Sequence, residues 1–186
     1  MTGLIVLIVI IALLAWWLVG MYNGLVAMRT HVDEVWSQID VQLQRRNDLI
    51  PNLLNTVKGY SKFESSTLEK ITQLRSSLMN LSADSDMQKV MKDSNELSNC
   101  LKSIFAVAEA YPDLKASTEY TNLMEELTNT ENKIAYARQL YNSTVANYDQ
   151  SLLQFPKNIV AKWFHFTKRE YLKADEEAHK VPKVEF

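Results

Sequence analysis

Apolar side chains run unbroken from Leu4 to Val19 as LIVLIVIIALLAWWLV, and no charged residue appears before Arg29. A helix crosses the hydrocarbon of a bilayer with about 20 predominantly apolar residues. Residues 1–24 therefore read as one transmembrane anchor, with Leu4, Ile8, Ile11, Trp16, Trp17 and Met21 in the span. Trp16, Trp17 and Tyr22 suit the membrane–water boundary. A cleaved signal peptide needs a basic amino end, a shorter apolar stretch and small residues at the cut. Met1-Thr2-Gly3 has no Lys or Arg and no cysteine lies near the run, so it reads as a retained anchor. Arg29, Arg45 and Arg46 follow on the carboxyl side. The positive-inside rule then places the amino terminus outside and the body in the cytoplasm.

From Leu25 the pattern changes to three- and four-residue spacing: Leu25, Met28, Val32, Val35, Ile39, Leu43, then Ile50, Leu53 and Val57, continuing through Tyr60, Leu68, Ile71, Leu74, Leu78 and Leu81. This is a helical stripe of near-heptad period. Pro51 and Gly59 interrupt it, and Pro51 cannot donate to the carbonyl of Asn47. Two readings stay open: one kinked helix of some 80 Å, at about 1.5 Å per residue, or a turn at residues 45–47 with Asp48 as N-cap and Pro51 in the first turn. A polar break at residues 82–86 precedes a helix from Met87 to Ala110, which Tyr111-Pro112 ends. Ser117 or Thr118 caps a long helix with Tyr120, Leu127, Ile134, Tyr141, Tyr148 and Leu152 on one face, ending at Phe155-Pro156.

Strand-like alternation is absent, and four Gly and four Pro in 186 residues leave room for few turns. The predicted class is all-α: an antiparallel up-and-down bundle of three to four long helices over residues 25–166, behind one transmembrane helix, with a charged, flexible tail at 167–186. A net charge of −2 gives no general attraction to nucleic acid. Cys100 is alone, which excludes a disulfide framework, and it reads as a small core residue.

Specific words are also present. Tyr22-Asn23, the run from Trp36 to Leu53 (WSQIDVQLQRRNDLIPNL), Val57-Lys58-Gly59-Tyr60, Glu109 to Ala116 (EAYPDLKA), Glu125-Glu126-Leu127, Thr130 to Asn142 (TENKIAYARQLYN) and Phe155-Pro156 resemble the LemA family, in that family's order and over nearly the whole chain. The resemblance implies a bacterial protein with one amino-terminal membrane helix and an antiparallel helical bundle, in a family not known as enzymes. A magnetosome-membrane protein belongs to that family, which suggests roles in organising membranes. One departure is the stretch from His165 to Tyr171, where the family often has Gly and a Pro-Phe-type break.

No chemistry-bearing constellation competes with this reading. Glu176 and His179 give one Glu-x-x-His spacing, where a di-metal bundle needs two such pairs and two further Glu, so they read as solvated surface. No nucleophile–base pattern and no Gly-rich phosphate loop appear. No catalytic, cofactor or metal residue is assigned. Structural or interaction roles fall to Arg45, Arg46, Asp48, Pro51, Glu131 and Tyr141. Arg46 lies on the apolar stripe. Either it pairs with an acid, Glu131, Glu125, Glu126 or Asp40, to fix helix register, or it snorkels into water. Gly20-x-x-x-Gly24 matches a close-packing motif of membrane helices. The segment 159–166, with Trp163, Phe164 and Phe166 between lysines, either caps the bundle or lies on the membrane surface. The expected function is a non-enzymatic single-pass membrane scaffold or self-assembling interaction module of the bacterial inner membrane. Its expected partners are the lipid bilayer and further copies of itself. The alternative is an adaptor or regulatory subunit of another membrane complex, a protease or a signalling kinase.

Overall fold

In a computed structural model the chain is all-α; the structure describes residues 1–58, 65–80 and 86–173. Six helices and no strand occur among the described residues: α1 (Thr2–Val57), α2 (Ser65–Asn80), α3 (Met87–Ala108), α4 (Pro112–Lys115), α5 (Thr118–Leu153) and α6 (Lys157–Trp163). The stripe read across residues 25–81 is two helices, since α1 ends at Val57. Gly59, Tyr60, Leu81, the break at 82–85 and the pair Glu176/His179 lie outside the described residues.

Pro51 sits inside α1, so the turn at 45–47 does not form and Asp48 is an exposed mid-helix residue rather than a cap. The missing donor leaves the Asn47 carbonyl without its helical partner. Nε of Arg75 on α2 fills that place at 3.0 Å. Elsewhere the expected caps form. Asp86 accepts from the Gln88 N–H at 2.9 Å, and Tyr111 is extended with Pro112 in the first turn of α4. That short helix was not anticipated, and α3 stops at Ala108 rather than Ala110.

Two compact units are distinguished among the described residues, dividing the stretch read as one bundle: residues 1–38 with 139–171, and those of 39–138 with 172–173. In the second, α2 and α3 run antiparallel, as Lys70–Glu96 and Ser77–Asp93 show, and α3 runs antiparallel to the amino part of α5, as Asn95–Arg138 and Ser98–Glu131 show, with the carboxyl part of α1 packed on α2 through Arg75 and Asn47. Its core is aliphatic: Ile39, Leu43, Ile50, Leu53, Ile71, Leu97, Leu101, Ile104, Leu127 and Ile134. Each such side chain contributes about 1.5–3 kcal/mol on full burial. Cys100 is half-buried rather than a core residue.

In the first unit α1 packs against the carboxyl part of α5. Leu25, Val32 and Val35 on α1 and Tyr141, Val145, Tyr148 and Leu152 on α5 are all buried, and Trp36 meets Tyr141 edge-on at 5.9 Å. Residues 167–171, assigned to a flexible tail, lie on α5. Tyr148 donates to the Thr167 carbonyl at 3.1 Å, Tyr141 to that of Glu170 at 3.3 Å, and the Arg169 N–H donates to Asp149 at 3.1 Å. In the second unit Leu172 is buried and Arg138 donates to the Lys173 carbonyl at 3.0 Å. Residues 174–186 of that tail lie outside the described residues.

Candidate functional site

The membrane span is the amino half of α1. Every residue from Met1 to Gly20 is exposed, and the apolar face goes all the way round: Leu4, Ile8 and Ile11 are each more than half exposed, as are Trp16 and Trp17. A helix that is apolar on all sides belongs in a protein core or in lipid. None of the described residues covers this one, and soluble proteins rarely expose contiguous apolar patches larger than a few hundred Å². The burial pattern changes after Gly20. Met21 is half-buried and Leu25 is fully buried against the first unit. Gly20 and Gly24 face open space, since an added Cβ would meet no atom within 4 Å.

At the carboxyl end of the span, Tyr22 receives two aromatic rings from the segment after α6. Phe164 packs on it at 4.7 Å and Phe166 meets it edge-on at 5.7 Å. Phe166 is half-buried by this contact, while Trp163 stays 71% exposed, so the three aromatic residues divide between packing and surface. A Schellman motif aims them. The Phe166 N–H donates to the Ala161 carbonyl at 2.9 Å, and the His165 N–H to that of Lys162 at 3.3 Å. Closing the motif puts His165 at φ 56°, the left-handed region that favours glycine.

The second unit holds a buried charge. Arg46 is fully buried, and its Nη1 lies 2.9 Å from Glu131 Oε1, a carboxylate that reaches the surface. Ser98 Oγ accepts from Nη1 at 3.0 Å and donates to Glu131 Oε2 at 2.7 Å, while Ser94 Oγ accepts from Nη2 at 3.0 Å. An arginine fork, a carboxylate and two hydroxyls thus lock α1, α3 and α5 in one register. A buried ion pair needs its remaining hydrogen-bonding capacity met; both terminal nitrogens of Arg46 are satisfied in this way, while its buried Nε has no hydrogen-bond partner. Of the other acids considered, Glu126 takes Arg45 at 2.6 Å on the surface, while Glu125 and Asp40 are exposed. Exposed pairs contribute about 0–1 kcal/mol.

Tyr141, in the first unit, is buried with its ring edge-on to Trp36 at 5.9 Å. Burial pushes its phenol above the ordinary 10.0; Arg169 opposes this, and Asp33, Glu170 and Asp149 add to it.

Sequence reasoning missed Arg75, Ser94 and Ser98. A proline within a helical stripe demands a donor for the carbonyl four residues earlier, so some partner for Asn47 was foreseeable. Two serines four residues apart on the apolar face of α3 were the visible trace of a polar partner. Among the described residues no group of three or more His, Cys, Asp or Glu is placed to hold a metal ion.

The family model described as "LemA family" matches residues 35–186. The chain is 29% identical over 144 residues to Protein LemA of Metamycoplasma hominis, an alignment covering 77% of this chain and 65% of that protein. It is 26% identical over 173 residues to Magnetosome protein MamQ 1 of Paramagnetospirillum magneticum, and 23% identical over 173 residues to Magnetosome protein MamQ of Magnetospirillum gryphiswaldense. Both of those alignments cover 81% of this chain and 64% of the relative. The chain thus spans slightly under two thirds of the length of these curated relatives.

Proposed function

This chain belongs to the LemA family, and on that premise we propose that it is a non-enzymatic single-pass membrane protein. Its helical body works as a self-assembling scaffold at the cytoplasmic surface of the bacterial inner membrane. The observation that supports this reading is the continuity of α1. One helix bears both an all-round apolar span and, from Leu25 on, the buried side chains of the first unit. With no intervening linker, the first unit keeps a fixed height relative to the bilayer, which suits a scaffold and limits reach. Arg29 after the span, with no Lys or Arg before it, favours a cytoplasmic body by the positive-inside rule. The relatives named as magnetosome proteins favour a role in organising a membrane rather than in transforming a substrate.

The test is the mass of the full chain purified in mild detergent, by light scattering, together with mass spectrometry of what co-purifies. The expected result is an oligomer of this chain alone. A strict monomer at high concentration overturns self-assembly, and one dominant foreign partner points instead to an adaptor subunit.

A further inference from the structure

We propose that the turn between α5 and α6, together with the outer face of α6, is a second lipid contact. It is seated in the headgroup region of the same bilayer that the span crosses and is drawn there by anionic lipid. This rests on the proposed membrane anchoring.

The outer face of α6 is inverted relative to an ordinary surface helix. Val160 and Ala161 point inward and are buried. Ile159, Lys162 and Trp163 share the opposite face at three- and four-residue spacing, with Ile159 53% and Trp163 71% exposed. A face turned away from the core would normally be polar. The preceding turn continues the surface, with Leu153 at 65% and Phe155 at 79% exposed. Aromatic and aliphatic groups interleaved with lysine are the composition of interfacial membrane segments.

Height decides the occupant. The Tyr22–Phe164 contact at 4.7 Å pins this surface beside α1. Tyr22 lies three residues after Val19, the last aliphatic residue of the span, or about 4.5 Å along the axis. Hydrocarbon about 30 Å thick is flanked by headgroup layers, to a total of about 40–45 Å. A surface held within one helical turn of the end of the span therefore falls in the headgroup layer. Lys157 and Lys162 on α6, and Lys168 just after it, supply positive charge there. Basic groups at this level are attracted to anionic headgroups. A protein partner would have to displace lipid already at that height.

The experiment uses the full chain, with Cys100→Ser as background, reconstituted in vesicles of phosphatidylcholine and phosphatidylglycerol with brominated acyl chains. Single cysteines at Phe155→Cys, Ile159→Cys and, within the span, Ile10→Cys carry a fluorescent label. Brominated lipid should quench all three labels, and aqueous iodide should quench none strongly. Adding Lys157→Glu and Lys162→Glu should weaken lipid quenching at position 159 while leaving position 10 unchanged. Iodide quenching at 155 and 159 without any quenching there by brominated lipid, with position 10 still quenched by lipid, overturns this inference and leaves the anchor intact. Shielding of 155 and 159 from both quenchers also overturns it, in favour of a protein partner. Loss of lipid quenching at position 10 overturns the anchored reading itself, and this inference with it.

Discussion

Arg75 Nε donates at 3.0 Å to the main-chain carbonyl of Asn47, the acceptor that Pro51 leaves unmatched inside α1. A helix interior tolerates proline at a cost of about 3 kcal/mol relative to alanine. Part of that cost is the orphaned carbonyl, and Arg75 offsets it from a neighbouring helix. Arg75→Gln should destabilise the second unit by about 1–3 kcal/mol, the cost of an unsatisfied buried acceptor. In a Pro51→Ala background the helix supplies its own donor, so the same change should cost about 1 kcal/mol less. A double-mutant cycle on denaturant midpoints measures the difference. Equal costs in both backgrounds would show that Arg75 does not act through Pro51.

Glu131→Ala should destabilise by about 3–5 kcal/mol, because it leaves the fully buried Arg46 guanidinium with only serine partners. Replacing the pair with apolar residues, Arg46→Met with Glu131→Leu, should recover most of that loss. Exchanging the charges should recover less, because a carboxylate at position 46 would face the Ser94 carbonyl, 3.4 Å from Nη1. Circular dichroism during thermal unfolding in detergent ranks the three variants.

What could be read from the sequence followed from local rules. The all-α class came from stripe spacing and the scarcity of turn residues, and the start of α3 from the polar break that ends in Asp86; the stop at Tyr111-Pro112 put its other end two residues past Ala108. Arg46 was visible as an anomaly on its stripe. Choosing Glu131 over Glu125, Glu126 or Asp40 needed the stagger of α5 against α1, which no local pattern encodes. The break after Val57 was obscured because the apolar spacing runs on through Leu68 to Leu78 in the same register. Residues 167–171 looked like tail because their composition is charged. Their order comes from Tyr141, Tyr148 and Asp149 on α5, whose polar atoms need partners once buried.

His165 occupies a position made for glycine. Its φ of 56° closes the Schellman motif that turns Phe164 and Phe166 onto Tyr22. A side chain at such a position costs about 1–2 kcal/mol relative to glycine, somewhat offset because glycine loses more chain entropy on folding. His165→Gly should raise stability by about 0.5–1 kcal/mol, seen as a higher Tm, whereas His165→Val should lower it.

Three buried tyrosines give the protein an alkaline limit. Burial raises the phenol of Tyr141, opposed by Arg169 and helped by Asp33, Glu170 and Asp149. It raises Tyr148 as well, opposed by Arg29 and Arg169 and helped by Asp149 and Asp33. Tyr120, in the second unit, is raised by burial and by Glu109. In each case the folded state favours the neutral phenol, so the folded pKa lies above the unfolded value of 10.0. The linked stability is fully present below pH 10.0 and is lost as pH rises through the folded values. The Tm should therefore be flat with respect to these groups up to about pH 9 and fall beyond about pH 10. Tyr141→Phe keeps the ring against Trp36, gives up one hydrogen bond to the Glu170 carbonyl and costs about 1 kcal/mol at neutral pH. It should also make the alkaline fall shallower. An unchanged slope in Tyr141→Phe would assign the alkaline loss to Tyr148 and Tyr120, which the corresponding Phe variants would then reveal.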